Sequence, residues 1–449
     1  MKHLFTFGFL SLISLSTFAQ SPSATVSKTI QARTGHRLNP ATKPVAFALP
    51  EGVSLDDGVS EDEAIAIALW NNPALQAELA VLGLARADVI EAGQLRNPNL
   101  TLIFPFSVRV LEALALWPFD ALWQRPHRVA AARLELNRTE ETLAAMALDL
   151  VRDVRLAYAD SLLAEYRSRI AAQVARERNE IAVIVNAQFR AGEISELETN
   201  ASRLDASLAA EQAGRFVNDV SLARIRLNAL LGVGTNAQSF PLTPVSIAGT
   251  SSVSSVLVAN ASAANPVNEL IEQAFEARPE LKAAELAIEA AGKRAKWERS
   301  KILVVSAIAK EYGRGVNGFE QGPGLMIDLP IFNRNGGAIS RAEAEIERAA
   351  KQLAAARHRV AQEVQQAYAQ LEQERQSLER WRTTVQPQIR EELRRAERAY
   401  TAGDVAYLLV LQTAQRQTDA QLREVELQAA QVRAAANLER SIGRRLIGK

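Results

Sequence analysis

The chain has 449 residues, a formal net charge of +1, 48% hydrophobic and 23% charged residues, and no cysteine. A charge so close to zero gives no basis for a nucleic-acid partner, and the charged fraction is too high for a helical membrane transporter. Without cysteine, disulfides, thiolate metal sites, thiol catalysis and a lipid-modified N-terminal cysteine are excluded.

Lys2 and His3 precede an apolar stretch over 4–18, and Thr17 and Ala19 fit a small-residue cleavage site. This pattern predicts a signal peptide over 1–19. The alternative is a membrane anchor, for which the run is short of the ~20 residues a spanning helix needs. No later apolar run reaches that length, so any further membrane crossing would require a closed β-barrel. Residues 20–60 read as an extended N-terminal segment.

From there the chain states one unit twice, about 210 residues apart. Residues 61–231 form the first repeat and 267–443 the second, with a Ser-, Ala- and Thr-rich connector over 232–266 and a short tail over 444–449. Asn72-Pro73-Ala74-Leu75 answers to Arg278-Pro279-Glu280-Leu281, Ala157-Tyr158 to Ala367-Tyr368, and Leu231-Gly232 to Ile442-Gly443. Ala191-Gly192-Glu193-Ile194 likewise answers to Ala402-Gly403-Asp404-Val405.

Within each repeat a short helix leads into a strand pair, over 98–119 in the first and 301–332 in the second. Leu100, Leu102, Phe104, Phe106 and Val108 alternate with mostly polar neighbours, and Leu325, Ile327, Leu329 and Ile331 repeat the pattern. Spanning strands need about 9–11 residues, and small barrels use about 8 strands. Four strands per chain therefore span a membrane only if several chains share one barrel; the alternative is a small soluble sheet capping a bundle. The glycine-rich stretch 311–324 reads as an external loop.

Each strand pair is followed by a very long helix, predicted over 124–189 and 335–400. The inward positions of the first are Val129, Ala132, Leu136, Thr139, Leu143, Met146 and Leu150; those of the second are Ile339, Ala342, Ile346, Ala349, Leu353, Ala356 and Val360. Both series then skip four residues, to Val154 and Val364, which is a stutter that locally unwinds a supercoil. A helix of this length spans roughly 100 Å at ~1.5 Å per residue, suited to crossing a gap. Pro387 should kink the second helix near Thr383. Gly192 and Gly403 end the two long helices, and return helices over 195–231 and 406–442 complete two hairpins.

The order of these features resembles the TolC-like outer membrane factor family over nearly the whole mature length. The resemblance is carried by Asp62-Glu63-Ala64-Ile65-Ala66-Ile67-Ala68-Leu69 with Asn71-Asn72-Pro73-Ala74-Leu75, then Ala92-Gly93-Gln94-Leu95-Arg96-Asn97-Pro98. Tyr400-Thr401-Ala402-Gly403-Asp404 and Leu438-Glu439-Arg440-Ser441-Ile442-Gly443 add to it. The run Leu329-Pro330-Ile331-Phe332-Asn333-Arg334-Asn335-Gly336-Gly337-Ala338-Ile339 resembles the branch serving heavy-metal efflux pumps.

The resemblance implies a mainly α fold with a small β part: coiled-coil hairpins in two tandem repeats, and four strands per chain in a shared 12-stranded trimeric barrel. It implies a homotrimer in the outer membrane of a Gram-negative bacterium, embedded in its lipid, with a large periplasmic part. It further implies a passive duct with no catalysis and no cofactor, working with a periplasmic adaptor and an inner-membrane pump of the RND type. Ala191, Gly192, Glu193, Ala402, Gly403 and Asp404 would form the adaptor-docking tips. Relatives often carry acidic residues six and nine positions after the second tip glycine; here Leu409 and Gln412 stand there. Glu196 and Glu198 could supply the charge of the periplasmic mouth instead. The rival readings are a periplasmic adaptor, which would have one hairpin and more strand, and a structural coiled-coil protein of the envelope, which would lack the strand pairs.

Three other motifs point elsewhere. Gly313, Gly315 and Gly318 match a dinucleotide-binding glycine pattern, which would require a helix to follow. Of the four histidines, His3, His36, His127 and His358, none stands four residues from another, so helical metal-ligand spacing is absent. The adjacent acids Glu140-Glu141 and Glu391-Glu392 read as solvated helix faces.

Overall fold

A computed structural model describes residues 24–38, 47–53, 58–104, 112–233, 242, 266–315, 318–402, 404–405 and 407–445. The signal peptide, most of the connector, the end of the tail, Gly403, and Phe106 and Val108 of the first strand pair lie outside the described residues.

The N-terminal segment is not wholly extended: Ala24–Thr34 forms helix α1. Val26, Ile30 and Thr34 recur at helical spacing and are all buried, so one face of the helix enters the core. Helix α2, Glu61–Asn71, starts in a reciprocal capping box, where Ser60 Oγ accepts from the Glu63 N–H and the Glu63 carboxylate accepts from the Ser60 N–H. Helix α3, Pro73–Gly93, follows at once with proline in its first turn, where the missing N–H costs nothing.

The first long helix, α4, is Asp120–Arg190, and its 71 residues reach about 105 Å. Its return partner α5 is Glu196–Leu231. The second repeat gives α6, Pro266–Ala277, and α7, Pro279–Ser300. Its long segment is α8, Gly336–Arg380, then a π-helical turn over Trp381–Val385, then α9, Gln386–Thr401. Helix α10, Tyr407–Ile442, returns. The break expected near Thr383 is thus a π turn. The Gln386 N–H bonds to the Trp381 carbonyl five residues back, and this wider turn precedes Pro387, which has no N–H to give.

The inward series of both long helices are buried or half-buried along their length. At the two stutters, Val154 and Val364 are 0% exposed. Each lies in the apolar core of its own repeat: Val154 beside Ile65, Leu143, Leu162 and Leu227, and Val364 beside Leu281, Val360, Leu371 and Leu438. Ion pairs align the elements antiparallel. Arg224 of α5 meets Glu165 of α4, and Arg416 of α10 meets Glu392 of α9. Arg433 and Arg440 of α10 meet Asp160 and Asp149 of α4. This alignment brings both hairpin tips to one end of the molecule.

The duplicated sequence signatures are duplicated joints. Asn72 donates from its side-chain amide to the Leu230 carbonyl at 2.9 Å, and Arg278, its counterpart, donates to the Ser441 carbonyl at 3.1 Å. Gly232 and Gly443 end the return helices at φ 69° and 83°. A β-carbon on Gly232 would stand 2.2 Å from the Asn71 carbonyl oxygen, so the pairing of Leu-Gly with Asn-Pro is a steric fit. Around these joints runs a chain of buried charge. Arg155 of α4 pairs with Glu439 of α10 and Glu61 of α2, while Arg278 pairs with Glu280 and Glu363. Burial pushes the Glu61 carboxyl up against the pull of Arg155. Removing one partner of such a pair would strand a buried charge, at a cost of about 3–5 kcal/mol.

Candidate functional site: the four-stranded sheet and the helical tips

The strands β1 (Asn99–Ile103), β2 (Glu112–Pro118), β3 (Val304–Gly315) and β4 (Gly318–Asp328) form one antiparallel sheet in that order. The two repeats meet in its middle, where β2 pairs with β3 from Glu112↔Tyr312 to Pro118↔Ser306. The stretch 311–324 is no loop: β3 continues to Gly315 and β4 resumes at Gly318, leaving 316–317 outside the described residues. A strand of 12 residues runs about 40 Å, enough to cross an apolar band of ~25 Å when tilted.

The register sorts the side chains by face. Leu100 stands opposite Ala115, which stands opposite Ala309; Leu102 stands opposite Ala113; Trp117 opposite Ala307, and Ala307 opposite Leu325. One face therefore carries Leu100, Leu102, Trp117, Val305, Leu325 and Ile327 among alanines, with Glu311 opposite Ala113 the charged exception. The other is mixed: Asn99, Thr101, Glu112, Ser306, Lys310 and Asp328 stand among Ile103, Leu114, Leu116, Val304, Ile308 and Met326. Leu100 and Leu325 are 64% and 60% exposed. Among the described residues no further strand pairs with β1 or β4, and an apolar face bounded by two open edges is a pairing surface in waiting.

At the far end of the hairpins the first tip closes in a Schellman arrangement. Gly192 has φ 79°, and its N–H reaches the Phe189 carbonyl while the Glu193 N–H reaches the Gln188 carbonyl, both at 3.0 Å. The second tip repeats the outer bond, from the Asp404 N–H to the Ala399 carbonyl at 2.9 Å. Ala191, Gly192, Glu193, Ala402 and Asp404 are all exposed. No neighbouring atom lies within 4 Å of a β-carbon placed on Gly192.

The two expected mouth carboxylates differ. Glu198 is the third residue of a capping box on Ser195, bonded to its N–H at 3.1 Å and its hydroxyl at 3.0 Å. It holds the start of α5. Glu196 is exposed in the same first turn, and no such role engages it. The Ser-Glu-Leu-Glu spelling of residues 195–198 was the sequence signal for this cap. Leu409 is exposed and lines a groove of about 630 Å³ between α9 and α10, with Pro387, Glu391, Glu392, Arg395 and Thr413.

The remaining motifs resolve structurally. The glycine pattern at 313–318 sits in the β3–β4 hairpin, with strand and no helix after it. Among the described residues no group of three or more His, Asp or Glu side chains is placed to hold a metal ion. Glu141 is not solvated: it is buried and meets Lys282 at 2.8 Å and Arg33 at 3.4 Å. Glu391 keeps to an exposed face with Arg394 and Arg395. No helix among the described residues is long and apolar enough to cross a membrane.

Residues 270–444 match the family described as outer membrane efflux protein. Over 392 residues the chain is 25% identical to the cobalt-zinc-cadmium resistance protein CzcC of Cupriavidus metallidurans, covering 85% of this chain and 90% of that protein. The fold is similar to that of CusC, with a TM-score of 0.69 at 18% identity, over 90% of this chain and 98% of that one. It is also similar to the outer membrane protein VceC of Vibrio cholerae, with a TM-score of 0.66 at 19% identity, over 86% and 96% of the two chains. The MtrE outer membrane channel of Neisseria gonorrhoeae, in its open state, gives a TM-score of 0.66 at 16% identity, over 89% and 94%.

Proposed function

We propose, on the premise that the chain belongs to the outer membrane efflux protein family, that it is the outer-membrane duct of a tripartite heavy-metal efflux system. Its place is the outer membrane, and its work is passive conduction rather than catalysis. The observation that carries the reading is the sheet: one apolar face, two open edges, and two hairpins of roughly 100 Å leading away from it. Three such sheets, joined β1 to β4, would make a closed barrel of twelve strands with no edge left in lipid. The helices below would continue the barrel as a tunnel.

The tips at 191–193 and 402–404 would meet a periplasmic adaptor and, through it, an inner-membrane pump of the RND type. Divalent cations are the proposed cargo, on the likeness to a metal-resistance protein and the Leu329–Ile339 motif. A duct needs no tight site for its cargo, only a lumen that does not repel it. Glu196, free of capping duty, is the better candidate for charge at the mouth.

The test is fractionation with a phenotype. The chain should run from outer membranes as a heat-modifiable trimer, and cells lacking it should lose tolerance to cobalt, zinc or cadmium. A soluble periplasmic monomer would overturn the duct. A normal trimer with unchanged metal tolerance would overturn the cargo alone.

A further inference from the structure

Where helix α1 and the end of α10 meet the first long helix, arginines gather. Arg33 of α1, Arg152 and Arg155 of α4, Arg440 of α10, and Arg444 and Arg445 after it line one cavity of about 20 Å³. Leu148, Val151 and Ala436 add apolar wall. Among the described residues Glu439 is the one carboxylate of that wall, and Arg155 holds it.

The other acids of the region hold the arginines from outside the cavity. Arg33 meets Glu141 at 3.4 Å, Arg152 meets Asp149 at 3.1 Å and Asp153 at 2.8 Å, and Arg155 meets Glu61 at 2.9 Å. Arg445 meets Asp62, and Arg444 has a neutral partner in Gln273. A guanidinium has five N–H donors and no acceptor, so donors outnumber acceptors on the wall. Arg440 spends Nε and Nη2 on Asp149 and Glu280, and its Nη1 is buried with no hydrogen-bond partner among the described residues. Its side chain is only 9% exposed. Burial works against its charge, but Asp149 and Glu280 outweigh that and keep it protonated. Arg33 Nη1 and Arg155 Nε are likewise buried without a hydrogen bond, since their carboxylates stand at ion-pair distance but off the N–H direction.

A buried donor left unmatched is costly, and a cationic wall with apolar patches favours an anion over a neutral water. The volume sets the size of the occupant. One water needs about 10–15 Å³, so the cavity takes a single atom-sized guest and has no room for sulfate or phosphate. We infer that this cavity binds a monatomic anion, chloride under ordinary conditions, which ties α1 and the C-terminal end of α10 to the first long helix. The site lies within one chain and is independent of the membrane reading of the sheet.

The test uses the purified full-length protein in detergent. Sodium chloride, bromide and gluconate are compared at equal ionic strength, so that general screening is the same in each. Chloride and bromide should raise the midpoint of thermal unfolding along a saturating curve and slow hydrogen exchange in α1, while gluconate does neither. In crystals grown with bromide, an anomalous peak should stand within hydrogen-bond reach of Arg440 Nη1. Arg440→Gln would also strand Asp149 and Glu280, so the informative variant is Arg444→Gln, which gives up only a surface bond to Gln273. That variant should fold normally and need at least about threefold more chloride for half the effect, because one positive charge leaves the wall. Equal action of the three salts overturns the inference and leaves the arginines as partners in screened ion pairs. A bromide crystal with no anomalous peak at Arg440 overturns it too. An unshifted chloride response in Arg444→Gln overturns it as well, since the ion then acts elsewhere.

Discussion

Two glycines with the same backbone conformation have different duties. Gly192 and Gly232 both have positive φ, yet only Gly232 sits against backbone, 2.2 Å from the Asn71 oxygen as measured from an added β-carbon. Gly192→Ala should cost only the left-handed strain of roughly 1–2 kcal/mol, whereas Gly232→Ala should cost clearly more, as read by denaturant unfolding. Equal losses would mean that the repeat joint is soft. Because the strain at the tip is small against two packed hairpins, Gly192→Val should leave outer-membrane levels normal and abolish efflux; loss of the trimer would instead make the tip structural. Glu280 sets a pH limit. Burial pushes its carboxyl up, but Arg278 and Arg440 outweigh that and hold it at about 2, below its ordinary 4.5. A carboxyl depressed in the folded state stabilises fully above its unfolded pKa and loses that contribution as pH falls through the folded one. Stability should therefore decline between pH 4.5 and about 2, and Glu280→Gln should flatten the decline.

At the scale of elements, the capping box at Ser195 makes a separable prediction. Glu198→Ala, which removes the acceptor for the Ser195 N–H, should weaken the start of α5 by about 1 kcal/mol, detected as faster hydrogen exchange there. Glu196→Gln should leave exchange alone and lower cation selectivity in planar-bilayer recordings. Selectivity unchanged in both would make these carboxylates a solvated face. Cysteines at Leu100, Leu102, Leu325 and Ile327 should resist water-soluble thiol reagents, since the register puts all four on one face. Uniform labelling would assign that face to water. What the sequence disclosed and what it hid divide by range. The inward positions of α4 and α8, the stutters and the first tip glycine, Gly192, are local patterns of 3.6-residue periodicity and turn chemistry, so they were readable. The salt-bridge chain through Arg155, Glu439 and Glu61 joins residues far apart in the sequence, and no local pattern announces it. Helix α1 was missed although Val26, Ile30 and Thr34 carried its spacing, because its support comes from packing on α4. The strands over 311–324 were hidden by glycines, which favour loops in isolation but are accommodated where neighbouring strands supply the hydrogen bonds.

For the whole molecule, the duplication explains how one chain could serve, on the proposed reading, as both membrane element and tunnel wall. Each repeat contributes a strand pair and a hairpin, and the β2–β3 pairing fuses the two halves into one sheet. The free edges of β1 and β4 have a genetic consequence. If a pore needs three chains to close, a single faulty subunit spoils it. With half of the chains defective at the tip but able to assemble, wholly native pores fall to about one eighth of the total, the cube of the native share. Gly192→Val expressed beside the native chain should thus be dominant, depressing metal tolerance far more than halving the dose of native protein does. Recessive behaviour would mean that one sound tip is enough for a partner to engage.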